Sequence, residues 1–193
     1  MKLDLNRYFN QKTHFYEYTP LSENICSGIK GYARNSGSFK KPIFLIYKGK
    51  EELYRLEENL IESWFAFLCG LIPPLRPKHK LWSNNFLCST LKYSGKFYFI
   101  QLDKCTYYIR GASKCMVTIW KDDTQIGLIS CAGNNITTSL ETIEILYEEG
   151  ISKELVLLFA IFGWEKFVGD RTYTTISFDK YPVDVNWKPK DSI

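Results

Sequence analysis

The stretch Ile151 to Gly169, I-S-K-E-L-V-L-L-F-A-I-F-G-W-E-K-F-V-G, limits what this chain can fold into more than any other. From Leu155 to Trp164 it carries no charged, hydroxyl or amide side chain, and its apolar residues fall on every side of a helix. A helix that is apolar all round has to be enclosed by protein or by lipid. Ser152 is placed to cap it, Glu154 lies in the first turn where the helix dipole favours an anion, and Gly169 is placed to end it. As a helix, Leu155 to Val168 would span roughly 21 Å, against a bilayer hydrocarbon core of about 30 Å. Glu165 and Lys166 also interrupt the run. The expectation is a helix enclosed by its own domain, with Leu157, Leu158, Ile161 and Phe162 fully buried.

The rest of the chain supplies strands to enclose it. Ile43 to Tyr47 reads as a buried strand before a Lys48-Gly49-Lys50 turn. Phe86 to Tyr93 and Lys96 to Leu102 flank Ser94-Gly95, and Cys115 to Lys121 and Thr124 to Cys131 flank Asp122-Asp123. Thr106 to Arg110 is aromatic and β-branched; Gly133-Asn134-Asn135 reads as a turn; Ile136 to Glu148 alternates, with Ile143, Ile145 and Tyr147 on one face. Thr13 to Thr19, Asn24 to Ile29 and Thr172 to Phe178 are further candidate strands. Residues 1 to 12 read as a polar lead-in, and Gly28 to Ser38 as a turn-rich stretch. Leu53, Leu56, Leu60, Ile61, Trp64, Phe65 and Leu68 recur at helical spacing, yet Glu52 to Leu56 follows a turn where a hairpin partner belongs. The reading favoured is a short strand and then an extra helix from about Glu58 to Cys69, stopped by Gly70 and Pro73-Pro74. Pro73 to Lys80 then reads as an extended basic connection.

Counted this way there are about ten strands, with no strand–helix–strand alternation. Neither a repeat nor a linker divides the 193 residues, so one domain covers 1–193, with its core over about 13–178. The aromatic fraction of 16% suits a β-rich interior. The fold class expected is mainly β with α: an antiparallel β-barrel, closed or nearly so, wrapped around the central hydrophobic C-terminal helix.

This layout resembles the tubby C-terminal-like superfamily, which includes tubby proteins, phospholipid scramblases, plant LURP-one-related proteins and short bacterial members. The residues that carry the likeness are Met116 to Ile129 (M-V-T-I-W-K-D-D-T-Q-I-G-L-I), Lys153 to Phe167 (K-E-L-V-L-L-F-A-I-F-G-W-E-K-F) and Ile43 to Leu56 (I-F-L-I-Y-K-G-K-E-E-L-Y-R-L). The resemblance implies a barrel of about twelve strands around one helix. The helix-like stretch at Glu58 to Cys69 and the Pro-rich loop after it depart from that pattern. Tubby's phosphoinositide-contacting residues have no matching positions here.

Chemistry-bearing motifs are sparse. His14 and His79 are the only histidines, neither at metal-ligand spacing. There is no G-x-S-x-G and no phosphate-binding glycine loop. The pairs Glu51-Glu52, Glu57-Glu58 and Glu148-Glu149 read as solvated surface, since acid–base catalysis needs two carboxylates in unlike environments. A Cys88 nucleophile with a His79 base has nothing behind it beyond the residue types. The expectation is therefore no enzyme, no cofactor and no metal. Cys26, Cys69, Cys88, Cys105, Cys115 and Cys131 form no C-x-x-C pair, and most sit in apolar, strand-like surroundings where Cys acts as a small hydrophobe. The opening M-K-L-D-L-N-R-Y-F-N has no apolar core of a secretory signal, so reduced thiols and a cytoplasmic protein, at most peripheral to a membrane, are expected.

Two basic groups remain as candidate ligand sites: Arg34, Lys40 and Lys41 beside the glycine-rich stretch, and Arg76, Lys78 and Lys80 next to Trp82. Basic residues beside aromatics suit anionic lipid or phosphorylated headgroups, and equally an ordinary solvated loop. The net charge of +4 is small for nucleic acid, which is excluded as a partner. A protein-interaction or scaffolding role through the apolar helix around 58–69 is the alternative. Lipid scrambling would follow from fold analogy alone. The oligomeric state is open.

Overall fold

Period-two alternation builds the molecule, and it begins at the second residue. The computed structural model describes residues 1–10, 15–21, 29–34, 43–58, 78–113, 115–135, 140–169, 184 and 186–190. Within them the chain is mainly antiparallel β sheet with a single helix towards the C-terminus. The strands are β1 (Lys2–Asn10), β2 (Phe15–Pro20), β3 (Ile29–Arg34), β4 (Ile43–Lys48), β5 (Glu51–Glu58) and β6 (His79–Ser83), then β7 (Phe86–Tyr93), β8 (Tyr98–Leu102), β9 (Cys105–Ser113), β10 (Met116–Lys121), β11 (Thr124–Asn135) and β12 (Leu140–Tyr147). The helix α1 (Lys153–Trp164) runs into a π-helical turn, Glu165–Gly169.

Consecutive strands pair antiparallel, and β1 pairs with β12 as well as with β2. The ladder is thinnest between β7 and β8, where only Lys92–Phe99 and Tyr93–Tyr98 are in register. Because consecutive strands alternate in direction, the turns at Gly49-Lys50, Asn84-Asn85, Asp103-Lys104 and Asp122-Asp123 lie at one end with the start of α1. The end of α1 lies at the other, with the first residues of β4, β6 and β12 and the last of β3 and β5.

The helix forms as the sequence requires. Ser152 Oγ accepts from the Leu155 amide at 3.3 Å. Every residue from Leu155 to Trp164 is buried, including Leu157, Leu158, Ile161 and Phe162. The helix touches β3, β4 and β5 on one side and β9, β10 and β11 on another. Gly163 makes the closest approach: a Cβ there would lie 2.7 Å from Val117 Cγ1 and 2.8 Å from Ile109 Cγ2. The π-helical turn seats Phe167 over Gly111 and Tyr98, its ring centroid 5.8 Å from that of Tyr98.

Several expectations need correcting. Residues 1 to 12 are not a lead-in, because Leu3 and Leu5 point into the core while β1 pairs on both edges. Ile29–Arg34 is a strand paired to β2 and β4, so the turn-rich reading of Gly28 to Ser38 fails there. Gly133-Asn134-Asn135 continues β11 along β12 and makes no turn, the strand absorbing an irregularity between Cys131 and Gly133. Glu51–Glu58 is strand throughout, settling the ambiguity after the Gly49-Lys50 turn. The described strands number 12. The extra helix at Glu58 to Cys69 falls almost wholly on residues 59–77, and the strand at Thr172 to Phe178 on residues 170–183; both lie outside the described residues, save that Glu58 ends β5.

Candidate functional site

Of the basic and aromatic residues singled out above, Arg34, Lys80 and Trp82 sit on strands. His79–Ser83 is β6, so Lys80 and Trp82 belong to a paired strand; the reading of Pro73 to Lys80 as a connection is corrected at His79 and Lys80, and 73–77 lie outside the described residues. Alternation decides which way they face. His79 and Leu81 go inward and are buried, while Lys80 is only half-buried. Lys80 lies opposite Glu57 on β5, and Trp82 opposite Arg55. The Arg55 guanidinium stands over the Trp82 ring at 6.0 Å and donates from Nε to Glu52 Oε1 at 2.8 Å and from Nη2 to Asn85 Oδ1 at 3.1 Å. Arg34 is the last residue of β3; Lys40, Lys41 and Arg76 lie outside the described residues.

Register relates these positions. Ala33 is opposite Phe44, Phe44 opposite Leu56, and Leu56 opposite Leu81. Arg34 and Lys80 are therefore one residue further along strands three steps apart, about 14 Å at roughly 4.8 Å per strand. The connections that carry Lys40 and Lys41, and Arg76, leave from this same end. Glu57 and Glu58 on the end of β5 offset part of the positive charge.

His79 is not part of that surface. It is fully buried among the rings of Phe162 (5.1 Å), Tyr98 (6.1 Å) and Phe44 (6.5 Å). Cys88 is exposed, so the two make no nucleophile–base pair. Cys131 is half-buried and packs against the core, Cys105 is half-buried, and Cys88 and Cys115 are exposed; Cys26 and Cys69 lie outside the described residues. Among the described residues no group of His, Cys, Asp and Glu is arranged to hold a metal ion. No described helix is long and apolar enough to cross a membrane.

The polar cluster that the sequence reading missed lies where α1 ends. Arg7 on β1 donates from Nε to Glu165 Oε1 at 2.9 Å and to the Tyr18 hydroxyl at 3.1 Å, and from Nη1 to Glu141 Oε2 at 3.1 Å. Trp164 Nε1 donates to the same Glu141 oxygen at 3.1 Å, and Tyr18 donates to Glu165 Oε1. The Arg7 guanidinium also stacks over the Tyr16 ring at 3.9 Å. Burial opposes the Arg7 charge, but Tyr18, Glu165 and Glu141 outweigh it and hold its pKa above the ordinary value. Burial, and then the Glu165 charge, push the Tyr18 hydroxyl well above the usual tyrosine range, so it stays a proton donor. The cluster ties the helix end to β1, β2 and β12. That makes it a fastening between helix and sheet. A signal for it was present: Glu165 is a charge in a helix that must be enclosed, and an enclosed charge requires a partner.

A second cation is enclosed on another face. Arg110 is 2% exposed and lies 4.9 Å from the Trp120 ring, 5.0 Å from Phe97 and 5.2 Å from Tyr108. Comparison with protein-family models, with curated proteins and with solved structures finds no match to this chain.

Proposed function

We propose that this chain is a non-enzymatic binding domain, a tubby-like barrel around its helix, and that it takes an anionic lipid headgroup at the end where the helix finishes. The observation that carries the reading is the shared strand end. Arg34 at the end of β3, and Lys78 and Lys80 at the start of β6, are far apart in sequence yet separated only by β4 and β5. Glu57 and Glu58 neutralise part of this charge, and an anionic headgroup would offset the rest. Near an anionic surface each Lys or Arg contributes about 1 kcal/mol.

Co-sedimentation with vesicles, with and without a phosphoinositide and at low salt, tests this. Wild type should pellet with the anionic vesicles. The variant Arg76→Gln, Lys78→Gln, Lys80→Gln should bind at least about tenfold more weakly. Free inositol phosphate should compete if the headgroup alone is recognised. Binding that is absent at low salt, or indifferent to the triple substitution, removes the proposal.

A further inference from the structure

We propose that the outer face of β9, β10 and β11 is a docking surface for the chain's own segment 170–183. On that part of the sheet Ile109 and Val117 point at Gly163 of the helix. Alternation then turns Tyr108 and Arg110 on β9, and Thr118 and Trp120 on β10, away from the helix. Register lines them up in two rows, Arg110–Thr118–Leu128 and Tyr108–Trp120–Gln125. On an antiparallel sheet packed on one face, outward residues are ordinarily solvated. Here Thr118 is 0% exposed, Arg110 2%, Leu128 5%, Trp120 6% and Gln125 7%, as enclosed as the residues around the helix. Phe97 and Tyr108 stand against Arg110, and Trp120 Nε1 donates to Thr118 Oγ1 at 3.0 Å, but excluding water from both rows takes a further layer over them.

The path of the chain names the occupant. The π-helical turn ends at Gly169 beside β9 and β10, with Phe167 over Gly111. The next described residue, Asp184, accepts through its carbonyl from Gln125 Nε2 at 3.3 Å, at the start of β11 and the opposite end of the sheet. The helix occupies the inner face, so residues 170–183 have the outer one to cross. If extended they would reach roughly 46 Å, against roughly 20 Å for β10. Their sequence, D-R-T-Y-T-T-I-S-F-D-K-Y-P-V, alternates over Thr172 to Phe178 and puts Ile176 and Phe178 on one side, an apolar pair to set on Trp120 and Leu128. Past the crossing the chain is fastened. The Asn186 amide donates to Asp184 Oδ1 at 2.9 Å, Pro189 is buried, and the Lys190 amide donates to the Glu148 carboxylate at 3.4 Å. The strands concerned are separate from β3 and β6, so this inference does not depend on the ligand reading.

Hydroxyl-radical footprinting of the full-length protein, read by mass spectrometry, tests this. Trp120 should be protected to the same extent at about 1 µM and about 100 µM, as a contact within one chain requires. Ile176→Asp with Phe178→Asp should raise its oxidation at least about fivefold. Trp164, enclosed in the helix, should stay protected and so report an intact fold. Should that pair fail to fold, a benzophenone side chain placed at Tyr108 gives the second measurement: ultraviolet light should join it to Thr172 to Lys180 of the same chain. Trp120 protection that survives both aspartates in a folded protein overturns the proposal. Protection that grows with concentration, or a cross-link between two chains, assigns the face to a second copy and overturns it too. So does a cross-link that avoids 172–180 altogether.

Discussion

At the scale of single residues, two positions carry more than their chemistry suggests. Gly163 is a helix residue, and alanine is ordinarily the better helix former by about 1 kcal/mol. Here the added methyl would meet Val117 and Ile109 at 2.7 Å and 2.8 Å. Overpacking of that kind costs about 1–3 kcal/mol, so Gly163→Ala should destabilise by about 1 kcal/mol net. Urea unfolding checks this, and a variant as stable as wild type would mean that the helix is free to shift. Adding Val117→Ala should recover part of the loss, with a non-additive double-mutant cycle.

Tyr18 is the second position. Its folded pKa is raised, so it favours the protonated, folded state, and its contribution is complete below the ordinary value of 10.0. Above that pH the unfolded chain gains by ionising, and the contribution falls by about 1.4 kcal/mol per pH unit. The stability gap between wild type and Tyr18→Phe should favour wild type at neutral pH and narrow by pH 11. Unfolding midpoints at the two pH values decide it, and a gap that widens with pH contradicts the assignment. Neither residue announced itself. Gly163 looked like one small residue in an apolar run, and Tyr18 like one aromatic among 13 tyrosines. What marks each of them is a contact across the fold.

At the scale of elements, α1 was legible save for its end, where the chain turns π-helical after Trp164. Its length, its cap at Ser152 and its all-round apolarity come from local order, and a helix of that kind has to be enclosed. Leu158→Asp would place a carboxylate where the side chain is 0% exposed and surrounded by apolar residues. Soluble expression should be lost, as judged by fractionation of the lysate; a soluble, cooperatively melting variant would show that the helix is not the core. Strands with clear alternation or a turn signal were legible too, notably β4, β7, β10 and β12. Those that were misread, β1 and β3, mix apolar residues with charged and amide ones or carry a glycine, and their strand character comes from neighbours on both edges. Propensity there yields to pairing.

At the scale of the whole molecule, the candidate surfaces were only half legible. Lys80 and Trp82 were found as a basic and aromatic pair, but their outward direction follows from β6 being a strand, and Lys80 faces Glu57 across the ladder. The joining of the Arg34 and Lys80 ends depends on strand order, which no local pattern contains. The Arg7, Tyr18, Glu141 and Glu165 cluster likewise draws on β1, β2, β12 and the helix end, residues up to 158 positions apart.

The sequence by itself determined the strands of strong alternation, the tight turns and the enclosed helix, because each depends on contacts between residues near in the chain. The tertiary structure alone decided which charges meet and that His79 is buried. Those depend on register and strand order, where a shift of one residue turns every side chain to the opposite face.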